Sequence, residues 1–162
     1  MDSLSYLETV RKNLQEEKPR NRVRFFGSKI DLLTMDQSLS CVEDIIQARR
    51  LTQHVVINVA KLVMMQTDDK LREIVNSCGL INADGQGIVW GARFLGYDIP
   101  ERVAGVDLFM NLVKRAAERK YRLFFLGAKE EVVKKVIDIF VSDYPELQVA
   151  GYRNGYFTQE EE

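Results

Sequence analysis

The residue whose type and position best suit chemistry is Asp84, in the stretch INADGQGIVWGAR. The apolar run at 79–82 predicts a buried strand and the run that begins at Gly87 predicts a helix, so Asp84 stands in the turn between them. A carboxylate in this turn could act as a general base. It could equally cap the helix by accepting a hydrogen bond from the backbone N–H of Gln86 or Gly87. The local pattern leaves both alternatives open.

Glycines surround this acid. Gly85 and Gly87 permit a sharp turn and a close approach of a ligand to the backbone. The pair resembles the start of a dinucleotide-binding fingerprint, but Trp90 stands where the third glycine would be. Because a lone G-x-G pair is weak evidence, the sequence disfavours a nicotinamide-dependent oxidoreductase.

Three further polar residues mark the ends of predicted strands or loops. Arg102 lies in the irregular PERVAG loop, either as a solvated partner of Glu101 or as a clamp for diphosphate oxygens, which guanidinium groups bind in a bidentate way. Asn58 ends an apolar strand, where it either satisfies backbone groups or contacts a ligand. His54 is the only histidine and begins the same strand, so the sequence disfavours a histidine-based triad or metal site.

The elements that position these residues alternate along the chain. Apolar strands at 23–27, 54–58, 79–82, 121–127 and 147–151 alternate with amphipathic helices. This order predicts an α/β, Rossmann-like fold with a mostly parallel sheet and helices on both faces. The turns around Asn58, Asp84, Gly127 and Gly155 would then lie at the carboxyl ends of the strands, where such sheets bind ligands.

Thr34 and Asp68 or Asp69 are predicted helix N-caps. The bulky aromatics are expected in the core rather than on a stacking platform; they are Trp90, Phe94, Phe124 and Phe125.

Composition limits the function classes. The 162 residues suffice for one α/β domain at 23–162, preceded by a predicted N-terminal helix and linker at 1–22. With 23 basic and 24 acidic residues, the chain has no global positive field to hold nucleic acid. Its apolar runs are too short for a membrane span, and Cys41 and Cys78 have no metal-type spacing. No D-x-D motif occurs, so we expect neither a metal nor a cofactor.

The order of the motifs resembles that of the WecG/TagA/CpsF glycosyltransferases. These motifs run from about residue 23 to the end of the chain: FFGSKIDLLTMDQSL, VVINVAKLV, INADGQGIVWGARFLG, PERVAGVDLFMNLV, FFLGAKEEVVKKV and YPELQVAGYRNGYF. The resemblance implies transfer of N-acetylmannosamine or a related sugar, with inversion, from a UDP-sugar donor. The implied acceptor is a sugar linked to undecaprenyl diphosphate, in the synthesis of cell-surface polysaccharides such as teichoic acid.

The resemblance also implies roles for individual residues. Asp84 matches the motif aspartate that acts as catalytic base. Substrate-binding residues are expected among the strand-end turns and the ERVAG loop, and they are Asn58, Gly85, Arg102, Gly127, Gly155 and Tyr156. The chain departs from the family at INVAK, where Lys61 lies in a turn that carries an acid in many members. A non-catalytic α/β binding or assembly module is therefore the alternative.

Partners and location follow from the same resemblance. The family continues beyond the GYF segment into a further motif and a basic appendage that engages the membrane, and this sequence contains neither. We therefore expect the chain to be incomplete at its C-terminus and to have little activity by itself. The full-length form is expected in the cytoplasm, peripheral to the inner face of the cell membrane, with homo-oligomers as a further expectation.

Overall fold

The computed structural model describes residues 21–158, so the predicted N-terminal helix lies outside the described residues. The chain divides into two compact units, Met1–Leu108 and Phe109–Glu162. Each unit contains one pair of parallel strands with helices that follow those strands. The mixed α/β, Rossmann-like fold predicted from the sequence is therefore confirmed.

The first unit is built around the parallel pair β3–β4. Its strands are β1 (Arg22–Phe25), β2 (Ser28–Asp31), β3 (His54–Ile57) and β4 (Leu80–Ala83). Its helices are α1 (Met35–Gln47), α2 (Val59–Thr67), α3 (Asp69–Ser77) and α4 (Gln86–Phe94). The strands β3 and β4 run in register from His54 opposite Leu80 to Ile57 opposite Ala83, which brings their carboxyl ends level.

The strands β1 and β2 form an antiparallel hairpin, which the sequence analysis did not predict. The register places Phe25 opposite Ser28, so the loop consists of Phe26 and Gly27. Both loop residues have positive φ, 46° and 75°, as the tight two-residue hairpin turns that match strand twist require. Phe26 is an unusual residue for this conformation, and the familiar Asn-Gly signal does not stand at this turn.

The core of the first unit and its helix caps follow the predicted pattern. Ile57 of β3 and Ile81 of β4 are fully buried, as the continuous apolar runs indicate. Thr34 caps α1 in a capping box, in which its side chain accepts from the Gln37 backbone N–H. The side chain of Asp68 accepts from the backbone N–H of Leu71 and caps α3.

The second unit repeats the pattern of a parallel pair on a helical layer. Its elements are α5 (Gly105–Arg119), which begins before the division, β5 (Arg122–Leu126), α6 (Glu130–Asp143) and β6 (Gln148–Arg153). The pair β5–β6 is parallel, with an irregularity between Leu123 and Phe124. The rings of Phe125 and Phe140 stack at 6.0 Å in its core.

The expectation that four bulky aromatics lie in the core is wrong for three of them. Trp90, Phe94 and Phe124 are exposed, whereas Phe125 is buried. On α4 the buried residues are Ile88, Val89 and Ala92, and Trp90 and Phe94 lie four residues apart on the other face. On β5 the alternation of side chains turns Phe124 away from the core that Phe125 enters.

None of the helices within the described range 21–158 is both long enough and apolar enough to cross a bilayer.

Candidate functional site

Asp84 follows β4 directly and is held rigidly by its backbone. Its N–H donates to the carbonyl of Ile57 at 2.7 Å, which continues the β3–β4 pairing by one residue. Its carboxylate does not cap α4, because the N-cap position belongs to Gly85 and no side chain caps that helix. Instead Oδ2 of Asp84 accepts from the backbone N–H of Gly105, the first residue of α5, at 3.3 Å. The interpretation of Asp84 as the cap of its own helix is therefore wrong.

The space around this carboxylate depends on three glycines. Gly85 has a φ of 102°, which side-chain-bearing residues rarely adopt, so the turn after Asp84 requires glycine. A Cβ on Gly87 would lie 2.9 Å from Cγ2 of Val59, and one on Gly105 would lie 3.3 Å from Cγ2 of Val56. The ends of β3 and β4 and the start of α5 thus approach each other closely around Asp84.

Asn58 directly follows β3 and is exposed, at the same end of the β3–β4 pair as Asp84. Its Oδ1 accepts from the backbone N–H of Lys61 at 2.8 Å, so it is the N-cap of α2. Lys61 also turns its Nζ back to the carbonyl of Val56, at 2.9 Å. The structural role that the sequence left open for Asn58 is present, and contact with a ligand stays a prediction.

Arg102 lies on a loop that is joined to the end of β4. The backbone N–H of Val103 donates to the carbonyl of Ala83 at 2.9 Å, which places Arg102 beside the residue that precedes Asp84. Arg102 does not pair with Glu101; its guanidinium lies 3.5 Å from Oδ2 of Asp107, and both side chains are about half exposed. Such an exposed pair is weak, so the guanidinium can exchange its partner for an anionic ligand.

In the second unit, Gly127 and Gly155 meet at the carboxyl ends of β5 and β6. Gly127 has a φ of 135° and donates to the carbonyl of Arg153 at 3.1 Å, and Gly155 donates to the carbonyl of Ala128 at 2.9 Å. A Cβ on Gly155 would lie 3.1 Å from Cα of Gly127, so only glycine allows this approach. Tyr156 follows with its side chain exposed.

An open cavity of about 500 Å³ lies beside this pair of turns. It is lined by Phe124, Glu130, Tyr152, Arg153, Asn154, Tyr156 and Phe157. The guanidinium of Arg153 lies 4.9 Å from the ring centre of Phe157, in a cation–π contact. The sequence analysis identified Tyr156 but missed Glu130, Arg153 and Phe157, because only the strand pairing brings these positions together.

Glu130 is the acid that lines this cavity. It accepts hydrogen bonds from Lys134 at 3.0 Å, from Asn154 at 3.3 Å and from the hydroxyl of Tyr152 at 3.2 Å. The hydrogen bond from Lys134, followed by that from Asn154, lowers the pKa of the Glu130 carboxyl. Glu130 is thereby held as a carboxylate, which suits an acceptor of hydrogen bonds better than a proton donor.

His54 begins β3, at the end of the strand opposite to Asp84. Its Nε2 lies 3.0 Å from Oδ1 of Asn82, and Nδ2 of Asn82 donates to the hydroxyl of Ser38 at 2.8 Å. Although part of the ring is exposed, burial of its inner edge lowers the pKa of His54. The ring therefore belongs to a polar network inside the first unit, as its position in the sequence indicates.

The predicted site residues fall into two groups. In the first unit, Asp84 and Gly85 lie with Asn58 and the Arg102 loop at the carboxyl ends of β3 and β4. In the second unit, Gly127, Gly155 and Tyr156 lie at the carboxyl ends of β5 and β6. The structure defines an α/β fold of Rossmann-like type in which the predicted site residues lie at the carboxyl ends of parallel strands, where sheets of this kind commonly bind ligands.

The chain belongs to the glycosyl transferase WecG/TagA/CpsF family, whose model matches residues 23–162. The match includes both units and every predicted site residue. The family expected from the order of the motifs is therefore confirmed.

The chain is similar to proteins named N-acetylglucosaminyldiphosphoundecaprenol N-acetyl-beta-D-mannosaminyltransferase, among them those of one Staphylococcus and two Bacillus strains. That of Staphylococcus aureus NCTC 8325 is 26% identical over 152 residues, which is 92% of this chain and 59% of the relative. That of Bacillus spizizenii W23 is 35% identical over 89 residues, 55% of this chain and 35% of the relative. That of Bacillus subtilis 168 is 37% identical over 84 residues, 52% of this chain and 33% of the relative. The chain thus spans less than two thirds of the length of each of these relatives.

Proposed function

We propose that this chain carries the reaction centre of an inverting glycosyltransferase. The enzyme would transfer N-acetylmannosamine from a UDP-sugar to N-acetylglucosamine linked to undecaprenyl diphosphate. Family membership and the names of the relatives support the reaction type, the transferred sugar and the acceptor. The UDP donor rests on the resemblance of the motifs and on the arginine and glycines at the strand ends.

The observation that carries this proposal is the position of the Asp84 carboxylate. It lies at the carboxyl end of β4, is half-buried, and faces the N–H of Gly105 instead of capping α4. Inversion by direct displacement requires a base that removes the proton of the acceptor hydroxyl as this oxygen attacks the anomeric carbon. The backbone hydrogen bond from Asp84 to Ile57 fixes the position of this residue. Its carboxylate can therefore hold the acceptor hydroxyl in line with the anomeric carbon at little entropic cost.

The second requirement is stabilisation of the leaving diphosphate. Negative charge grows on the UDP oxygens as the glycosidic bond breaks, and a cation with several donors lowers the energy of that state. Arg102 supplies such a cation on the loop next to β4, where it forms an exposed ion pair with Asp107. Its guanidinium can bind two phosphate oxygens at once.

We also propose that the protein works at the cytoplasmic face of the membrane. A water-soluble nucleotide sugar and a lipid-anchored acceptor can meet only at the surface of a bilayer. Cell fractionation tests this location, because the protein should sediment with membranes and be released without detergent by salt or alkaline washing. Recovery only in the soluble fraction would contradict it.

The test of the activity is sugar transfer by the intact protein and by Asp84→Asn. We expect the substitution to lower turnover by about 10²- to 10⁴-fold, the usual contribution of a general base, with the thermal unfolding midpoint nearly unchanged. Asp44→Asn is the matched control, because Asp44 is an exposed acid on α1, and it should transfer sugar at the normal rate. Retained activity in Asp84→Asn would overturn the base assignment. Selective UDP-sugar binding without transfer by the unsubstituted protein would instead favour a non-catalytic module.

A further inference from the structure

The loop that carries Arg102 is irregular in conformation, yet its backbone is fixed on both sides of that residue. It connects α4 to α5 and contains no helix or strand. Val103, on the C-terminal side of Arg102, is buried and bonded to the end of β4. The residues on the N-terminal side of Arg102 are held by the side chains of Arg93 and Glu101. Neither side chain has a role in the reaction proposed above.

Arg93 holds the loop from the last turn of α4. Its Nε and Nη2 both donate to the carbonyl of Ile99, at 3.0 and 2.8 Å, and Nη2 also donates to the carbonyl of Pro100, at 2.9 Å. Hydrogen bonds from a charged donor are stronger than those between neutral groups. A lysine has a single nitrogen and cannot reproduce this forked contact in the same geometry.

Glu101 holds the loop from the other direction. Its carboxylate accepts a hydrogen bond from the backbone N–H of Met35, the first residue of α1. An acid at a helix N-terminus also interacts favourably with the positive end of the helix dipole. The loop is therefore joined to α4 by Arg93, to α1 by Glu101 and to β4 by Val103.

We infer that Arg93 and Glu101 are positioning residues that fix the backbone around Arg102, so that its guanidinium is held ready for a diphosphate group. Arg102 stands between two anchored neighbours, and its side chain remains about half exposed. A fixed backbone reduces the conformational entropy that an arginine loses when it binds an anion. The inference rests on the proposed function, because it assigns to Arg102 the role of binding the donor diphosphate.

The first experiment measures binding of UDP and of uridine by calorimetry. Arg93→Lys should raise the Kd for UDP by about tenfold, the scale of one charge-assisted hydrogen bond, and leave the Kd for uridine unchanged. Arg72→Lys is the matched control, since Arg72 donates to the carbonyl of Met65 and pairs with Asp69, away from the loop. An equal effect of both substitutions on UDP would overturn the inference.

A double-mutant cycle separates positioning from direct contact. In the Arg102→Ala background, Arg93→Lys should cause no further loss of UDP affinity, because it acts through Arg102. A full additional loss would mean that Arg93 acts by itself and would overturn the inference. If Arg102→Ala leaves the Kd for UDP unchanged, the proposed role of Arg102 fails, and the inference that Arg93 serves it fails too.

Hydrogen exchange at the Val103 amide tests the anchoring without any ligand. Arg93→Lys and Glu101→Ala should each accelerate this exchange by about tenfold, because the loop opens more often. In Glu101→Gln the Val103 amide should exchange as in the unsubstituted protein, since the amide oxygen of glutamine still accepts from Met35. The control Arg72→Lys should also leave this exchange unchanged. Unchanged exchange in Arg93→Lys would overturn the anchoring, even if the protein binds no UDP.

Discussion

At the scale of single residues, the buried pair of Asp31 and Arg22 has the clearest consequence for stability. The Asp31 carboxylate is inaccessible to solvent, accepts from Nε and Nη2 of Arg22 at 2.6 and 2.8 Å, and also accepts from the backbone N–H of Ile81. Arg22 in turn donates to the carbonyl of Gly79 at 2.9 Å. These contacts join the β1–β2 hairpin to β4, the strand that delivers Asp84.

We therefore predict that Asp31→Asn lowers the free energy of unfolding by about 2–3 kcal/mol. The substitution keeps the shape of the side chain but removes the negative charge that faces Arg22, and the partial exposure of Arg22 limits the loss. Asp69→Asn is the control, because Asp69 pairs with Arg72 at the surface and should cost less than about 1 kcal/mol. Urea titration of both variants measures the difference; equal losses would contradict the prediction.

The sequence predicted the position of Asp84 in the fold better than its hydrogen-bond partners. The position of Asp84 after an apolar strand and between small residues was sufficient to place it at a strand end. Its hydrogen bond to Gly105 was not predictable, because it joins positions that are 21 residues apart through an irregular loop. The same holds for Glu101, whose partner is Met35 rather than its neighbour Arg102.

At the scale of elements, the start of α4 lies unusually close to the start of α2. A Cβ on Gly87 would stand 2.9 Å from Cγ2 of Val59, closer than such atoms approach in folded proteins. Alanine is favoured over glycine inside a helix by about 1 kcal/mol, whereas overpacking costs about 1–3 kcal/mol. The steric term is the larger one because Val59 is β-branched and stiff.

We predict that Gly87→Ala lowers the free energy of unfolding by about 1 kcal/mol as the net of these two effects. The Val59→Ala substitution removes the atom that the new methyl group meets, so Gly87→Ala should become stabilising in that background. Urea titration of the unsubstituted protein, the two single variants and the double variant measures the effect of Gly87→Ala on the free energy of unfolding with Val59 present and with Val59 replaced. If Gly87→Ala stabilises the protein while Val59 is present, the prediction is wrong. The starts of α2 and α4 could then move apart without loss of folding free energy.

The elements that sequence reasoning predicted are those with local signals. Thr34 and Asp68 are capping residues followed by apolar periodicity, and both cap helices in the structure. The β1–β2 hairpin was missed because its turn uses Phe26 at a φ of 46°, a conformation that the identity of the residue does not suggest. The exposed faces of α4 and β5 were missed because an aromatic residue by itself does not reveal which face of an element is covered.

At the scale of the whole molecule, the two units contribute different chemistry. The first carries the acid and the arginine proposed for the transfer, and the second carries an aromatic cavity with Glu130 and Arg153. In both units the candidate site residues follow parallel strands, as the repeated order of strand and helix predicts. The alternation of apolar runs was therefore sufficient to predict which residues lie at the ends of the parallel strands, but not which side chains line the cavity.

The dependence of global stability on pH offers a test at this scale, because the sequence contains a single histidine. Burial lowers the pKa of His54 below the unfolded value of 6.5, so the unfolded chain binds more protons than the folded one in this range. By linkage, the free energy of unfolding then increases with pH. The contribution of His54 is complete above pH 6.5 and is lost as the pH falls through the lowered pKa of the folded state.

We predict that the unsubstituted protein loses stability between about pH 7.5 and pH 5.5, and that His54→Gln shows a smaller loss over the same interval. Glu130 does not obscure the effect, because its carboxyl has a pKa below the ordinary 4.5 and contributes only at lower pH. Urea titration at several pH values measures both slopes. Parallel slopes for the two proteins would show that His54 is as easily protonated in the folded state as in the unfolded chain, which would contradict the lowering of its pKa by burial.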